Sequence, residues 1–284
     1  MEKALKGKEV ALFVKERVKA ECSKLRSIGV VPTMAIVRIG DNADDITYEK
    51  SIIKSCSEVG IEVKSYILPD SINMNSFVKY IKILNEDEDI HGYMIFRPLP
   101  KQLDEVKIKY VIDHKKDIES MNPVSLSKVF EGETDGIVPC TPAAVIEIMK
   151  YYNIEMEGKN AVVLGRSMVV GRPLSMMLLK EDATVTICHS KTKNLKEITS
   201  RADILVAALG KANFITREYV KPGAVIIDVG INTDENGKLC GDVDYDDVYE
   251  TAGRITPVPG GIGSVTTALL FSNIVRATRK QLGI

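Results

Sequence analysis

A chain of 284 residues is long enough for a sizeable core and close to the length at which one core usually divides, so two domains are expected. Its 45% hydrophobic and 27% charged residues exclude extensive disorder. With Lys+Arg 38 against Asp+Glu 39, there is no global basic field to attract nucleic acid or an anionic membrane.

The N-terminus interleaves apolar residues with charge at helical spacing, which predicts a helix over about Gly7 to Arg26 rather than a signal peptide. The apolar run Thr33 to Ile39, ending at Gly40, reads as a strand. An amphipathic stretch from about Thr47 to Val59, a strand over Ile61 to Ile67 and a helix over about Asn73 to Leu84 follow. The run His91 to Phe96 then stops at Pro98-Leu-Pro100, and this βαβα rhythm predicts a parallel sheet covered by helices. From Lys115 to Pro142 the chain is rich in Asp, Glu, Gly and Pro with weak periodicity, and reads as a long inter-domain connection.

Thr141 as cap and Pro142 at the first helical position then predict a helix running to about Tyr152. A second βαβ series has strands at Ala161 to Leu164, Thr184 to Cys188, Ile204 to Ala208 and Ala224 to Val229. Thr266 to Gln281 is helical in pattern and could return to the first domain. No apolar run approaches the roughly 18 residues of a membrane span. The cysteines (Cys22, Cys56, Cys140, Cys188, Cys240) are scattered and odd in number, with no CxxC pair, and read as reduced thiols of a cytoplasmic protein. The histidines (His91, His114, His189) are too dispersed for a ligand set, so no metal is expected.

The central motif is Val163-Leu-Gly165-Arg-Ser-Met-Val-Val-Gly171-Arg-Pro173, placed where a strand ends and a helix begins. Glycines there allow a tight turn and close backbone approach, while the helix N-terminus offers N–H groups to a phosphate. The spacing is wider than GxGxxG, and a simple turn would leave the same pattern. The βαβ context favours a Rossmann domain binding a dinucleotide. In such domains an acidic residue about 20 positions on takes the ribose 2′-hydroxyl of NAD. Here the next strand ends His189-Ser-Lys-Thr192, with no carboxylate. Arg166, Ser190 and Lys191 instead suit a 2′-phosphate, which favours NADP, although any single lysine can be a solvated surface charge. The loops Ala207 to Lys211, Asp228 to Asn232 and Thr256 to Thr266 fall at the same carboxyl edge, where open α/β sheets bind ligands.

Taken together, the ordered segments resemble, over nearly the full length, the methylenetetrahydrofolate dehydrogenase/cyclohydrolase family. They are GDN at Gly40, Tyr48 with Glu58-Val-Gly60, Pro98-Leu-Pro100, Pro139-Cys-Thr-Pro142, Gly165-Arg-Ser, His189-Ser-Lys-Thr192, Gly241-Asp-Val-Asp244 and Pro257-Val-Pro-Gly-Gly261. The resemblance implies a homodimer with two α/β domains. One is a folate-binding catalytic domain over residues 1–141, with the C-terminal helix 267–284 packing back on it. The other is a Rossmann NADP domain over 142–266. It carries over Gly165, Arg166, Ser167, Gly171, Ser190 and Ile231 as cofactor contacts, and Tyr48, Glu119, Pro259 and Gly263 as contacts to tetrahydrofolate derivatives.

The departures from the family pattern bear on chemistry. Its catalytic lysine, four residues after the tyrosine, is Ile52 here. Lys54, matching a second lysine, lies roughly 200° around the helix from that position. The family's glutamine before Pro-Leu-Pro is Phe96, followed by Arg97. Its Asp-Gly-Phe-His run, whose aspartate holds the pterin, is Glu119-Ser-Met-Asn122, and its Gly-Pro-Met-Thr run is Gly263-Ser-Val-Thr266. Oxidation of 5,10-methylenetetrahydrofolate depends mainly on positioning, whereas hydrolysis of the methenyl product needs protons moved by titratable groups. The expectation is an NADP-dependent dehydrogenase with weak or absent cyclohydrolase activity. A bifunctional enzyme in which Lys54, Lys50 or Arg97 replaces the lysine, and a non-catalytic NADP-binding protein, stay open as alternatives.

Overall fold

The computed structural model describes residues 2–133 and 136–284; Thr134 and Asp135, within the expected connection, lie outside the described residues. The chain forms two compact units, Phe13–Val138 with Ala268–Ile284, and Pro139–Thr267 with the N-terminal segment to Leu12.

In the first unit, strands β1 (Thr33–Ile39), β2 (Glu62–Leu68) and β3 (Gly92–Ile95) form a parallel sheet in the order β2-β1-β3. Six of the seven residues of β1 are buried, as a strand covered on both faces requires. Helices α2 (Ala43–Val59) and α3 (Met74–Glu86) are the crossovers, and Phe77, Ile81 and Leu84 of α3 join Val37, Tyr93 and Ile95 in the core. The α2 helix begins four residues before the expected Thr47, because the Asn42 side chain accepts from the Asp44 and Asp45 N–H groups at 2.8 and 3.2 Å and caps the first turn. Its end at Gly60, φ 88°, is a left-handed C-cap.

In this unit two helices stand where none was expected. The first is α4 (Glu105–Val111), capped by Asp104. The second is α5 (Pro123–Glu131), inside the stretch read as a connection, capped by Asn122 and with proline in its first turn. Asp117 explains why this stretch is ordered: its buried carboxylate accepts from the Met121 and Asn122 N–H groups and the Ser125 hydroxyl, at 3.0, 2.7 and 2.9 Å. A parallel bridge also joins Asp117 to Tyr93.

The second unit has the parallel order β10-β7-β6-β4-β5, from β4 (Asn160–Leu164), β5 (Thr184–Cys188), β6 (Ile204–Ala207), β7 (Val225–Asp228) and β10 (Arg254–Ile255). Consecutive strands leave β4 in opposite directions, which makes its carboxyl end a topological switch point of the Rossmann type. Helix α6 (Cys140–Tyr151) starts before the expected cap: Pro139 occupies that place, and Thr141 and Pro142 lie within the first turn, where a missing proline N–H costs nothing. Helices α7 (Gly171–Lys180), α8 (Leu195–Thr199) and α9 (Tyr245–Tyr249) and a short antiparallel pair β8 (Asn232–Thr233) and β9 (Leu239–Cys240) complete it.

The N-terminal segment, expected with the first domain, covers the edge strand β10 instead. The Leu5 N–H donates to the Ile255 carbonyl at 2.8 Å and the Ile255 N–H to the Lys3 carbonyl at 2.9 Å. Helix α1 (Gly7–Ser27) passes from one unit to the other after Leu12, and α10 (Ile262–Leu282) does so after Thr267. Within the first unit, Asn273 of α10 donates to the Ile118 and Val138 carbonyls at 2.8 Å each. No helix among the described residues is long and apolar enough to cross a membrane.

Candidate active site

In the first unit the expected folate contacts gather at the carboxyl end of the sheet. Tyr48, on the second turn of α2, is 47% exposed, and its ring meets that of Phe96, just past β3, at 5.5 Å between centroids and 41° between planes. Ile52, one turn further along α2, is 1% exposed and Phe96 is 7% exposed. Lys54 and Lys50 are both exposed, and Lys54 stands on the solvent side of the helix, away from buried Ile52. Arg97 lies between two carboxylates: its Nη1 is 3.3 Å from Glu105 Oε1 and its Nη2 is 3.5 Å from Glu119 Oε1. Burial pushes the Glu119 carboxyl up, Arg97 draws it down and Asp117 pushes it up again.

Beneath Tyr48 lies an ion pair that sequence reasoning missed. Arg38 of β1 donates from Nε to Glu49 Oε2 at 2.8 Å, with both side chains buried. Its Nη1 donates to the Gly40 carbonyl and to Asp41 Oδ1, the latter at 3.1 Å. Glu49 is the next residue after Tyr48, so this network fixes α2, and with it Tyr48, to the end of β1. An arginine in an otherwise apolar strand is the signal that could have found it.

In the second unit, Gly165 adopts φ 131° directly after β4, where L side chains are strained. A Cβ on Gly171 would lie 2.9 Å from the Arg166 nitrogen and nearer still to the Gly165 carbonyl, so the turn closes only with glycine there. No side chain caps α7, but within its first turn Arg172 donates its N–H to the Ser167 carbonyl at 3.0 Å and Pro173 has none, so the glycine turn itself, rather than a row of helix N–H groups, is what this end offers a ligand. Arg166 and Ser167 are exposed. Ser190 and Lys191, also exposed, follow the neighbouring strand, because Leu164 pairs with Cys188 and the Gly165 N–H donates to the Cys188 carbonyl at 2.9 Å. The loop bearing them is held by the Thr192 hydroxyl, which accepts from the His189 N–H at 2.9 Å.

Ile231, Pro259 and Gly263 share one cavity of about 230 Å³, together with Gly230, Pro257 and Ser264. Two buried aspartates build its surroundings. Asp228 accepts from the Gly230, Asp242 and Val243 N–H groups at 2.9, 3.0 and 2.8 Å, and burial still pushes its carboxyl up to about 6. Asp242 accepts from the Gly210 and Lys211 N–H groups at 3.2 and 2.8 Å and from Asn232 Nδ2 at 2.9 Å. Three loops at the carboxyl edge are thereby tied together. The residues between Asp228 and Asp242 hide this pairing from a linear reading. Among the described residues no group of His, Cys, Asp or Glu could hold a metal ion.

The turn makes a direct prediction. Gly171→Ala should force the start of α7 away from Gly165 and weaken dinucleotide binding about tenfold or more, read by titration with NADPH fluorescence. An unchanged dissociation constant would separate this turn from cofactor binding.

A parallel sheet with a glycine turn at its switch point, carrying a second α/β unit with a polar and aromatic cluster at its own sheet edge, defines a two-domain nucleotide-dependent enzyme of the dehydrogenase class. The chain belongs to the tetrahydrofolate dehydrogenase/cyclohydrolase family: residues 5–119 match the model of its catalytic domain and residues 139–282 that of its NAD(P)-binding domain. It is 53% identical, over 281 residues, to the bifunctional protein FolD of Clostridium botulinum strain Okra, covering 99% of this chain and 100% of that one. The structure resembles the bifunctional enzyme FolD of Campylobacter jejuni with a TM-score of 0.93 at 39% identity, over 98% of this chain and 99% of that one. It also resembles the Trypanosoma brucei methylenetetrahydrofolate dehydrogenase-cyclohydrolase solved with NADP and an inhibitor, with a TM-score of 0.90 at 32% identity, over 99% of this chain and 98% of that one.

Proposed function

We propose that this protein oxidises 5,10-methylenetetrahydrofolate to 5,10-methenyltetrahydrofolate with NADP, and that its cyclohydrolase activity is weak or absent. The observation that carries the second half is the burial of two apolar side chains, Ile52 and Phe96, at the places of the family's lysine and glutamine. Neither can donate, accept or carry a proton. Of the cations considered as substitutes, Lys54 and Lys50 face solvent and Arg97 is engaged by Glu105 and Glu119.

NADP, when bound, would accept the hydride. The Gly165 to Gly171 turn suits close approach of its pyrophosphate, and Arg166, Ser190 and Lys191 suit its 2′-phosphate. The chain's own part is to hold the substrate. Tyr48 and Phe96 offer aromatic surface to a flat ring, and Glu119 accepts from its N–H groups. Such work supports hydride transfer, where the substrate's own nitrogen stabilises the iminium, and leaves the hydrolytic water without a base. Following the resemblance, we take the protein to work as a cytoplasmic homodimer.

A two-wavelength assay with methylenetetrahydrofolate and NADP tests the reading. NADPH should form while the methenyl product decays no faster than in a control without enzyme. Accelerated decay would favour the second reading, a bifunctional enzyme, which the names of the 51–53% identical FolD relatives support. No NADPH with either NADP or NAD would overturn the dehydrogenase. On the cofactor side, Arg166→Ala with Lys191→Ala should lower the preference for NADP over NAD about tenfold, measured as the ratio of the two kcat/KM values. An unmoved ratio would remove these side chains from 2′-phosphate recognition.

A further inference from the structure

We infer that Arg97 is a positioning residue that clamps the Glu119 carboxylate, so that its free side meets the adjacent N–H donors of a flat amino-heterocycle. The inference rests on the proposed function, which puts a tetrahydrofolate in this unit. It assigns Arg97 a role different from that of the family's lysine.

Two observations and the chemistry of the groups support the clamp. A guanidinium keeps its protons throughout the working range and cannot shuttle them, and both Nη atoms of Arg97 already face carboxylates, Glu105 at 3.3 Å and Glu119 at 3.5 Å. Glu119 is also held from the sheet, by a hydrogen bond from the Ile95 backbone. A glutamate has one more rotatable bond than an aspartate, and an unrestrained carboxylate would lose that freedom on binding. Arg97 restrains it beforehand. An ionised carboxylate has about four acceptor sites, so contacts to Ile95 and Arg97 leave capacity for two parallel donors from a ligand.

Charge gives the clamp a second consequence. The groups acting on Glu119 are Arg97, which favours ionisation, and Asp117, which opposes it; Glu105 reaches it through Arg97. Burial already raises the carboxyl. Without Arg97 it would rise further, and a protonated Glu119 loses acceptor capacity as pH falls.

The test compares Arg97→Met, Arg97→Lys and the wild type as intact proteins, by calorimetric titration with tetrahydrofolate across pH and by steady-state kinetics. Arg97→Met should raise the tetrahydrofolate dissociation constant and the KM for methylenetetrahydrofolate about tenfold. It should leave kcat at saturation within about twofold and NADP affinity unchanged. The acid limb of binding should move to higher pH. Arg97→Lys keeps the charge without the fork and should fall between the two; it carries the test alone if Arg97→Met does not fold. Unchanged tetrahydrofolate affinity with an unmoved acid limb would reduce Arg97 to a surface ion pair. A fall in kcat with affinity intact would place it in the chemistry, and either result overturns the inference. Wild-type protein that binds no tetrahydrofolate overturns the proposed function as well, whereas binding by the wild type with Arg97→Met indistinguishable from it overturns the clamp alone.

Discussion

The double substitution Ile52→Lys with Phe96→Gln should raise hydrolysis of 5,10-methenyltetrahydrofolate on the order of 10²-fold, the lower end of what a positioned acid-base group supplies. Both changes are needed. Ile52 is 1% exposed, and a lone ammonium there would be desolvated without a partner, so burial would drive it to its neutral form and the fold would be strained. The glutamine supplies a hydrogen-bond partner from the end of β3, where Phe96 now packs on Tyr48. Ile52→Lys alone should therefore lower the melting temperature and gain little activity. Decay of methenyl absorbance beside a no-enzyme control reads the gain, and thermal unfolding reads the cost. A folded double variant that hydrolyses no faster than wild type would show that something other than this pair limits the reaction.

How much of this site could be read beforehand depended on the distance over which its parts cooperate. Strands β1, β4, β6 and β7 are plain as branched apolar runs, because burial on both faces of a parallel sheet writes itself into consecutive residues, whereas the edge strand β5 is largely exposed and is legible only from its β-branched residues. The turn from Gly165 to Gly171 was plain for the same local reason. Helices α4 and α5 were not, since seven and nine residues give too few turns for a periodicity, and their caps, Asp104 and Asn122, sit in stretches already crowded with polar residues. Strand β10 has two residues, and its partner along the outer edge is the start of the chain, some 250 positions away. The clamp of Arg97 on Glu119 and the pairing of Asp228 with Asp242 are likewise invisible in a linear reading. Each partner alone resembles a solvated charge, and only the fold brings them together.

The largest structural effect should come from Arg38. Its guanidinium is enclosed beside Glu49, the Gly40 carbonyl and Asp41, so Arg38→Met would leave the buried Glu49 carboxylate with its main partner gone. Removing one member of a buried pair typically costs about 3–5 kcal/mol, far more than an exposed pair is worth. Denaturant unfolding should show a loss of that size. Adding Glu49→Leu should recover most of it, because replacing both charges by apolar groups removes the unpaired ion as well as the attraction. The two variants also separate stability from function. If the network matters only because it holds charge, the double variant regains stability and substrate affinity together. If instead its hydrogen bonds to Gly40 and Asp41 orient the start of α2, the double variant regains stability while the KM for methylenetetrahydrofolate stays high, since Tyr48 sits on the turn that the pair anchors. A cost below about 1 kcal/mol for Arg38→Met would mean that water reaches Glu49 and that the pair behaves as an exposed one.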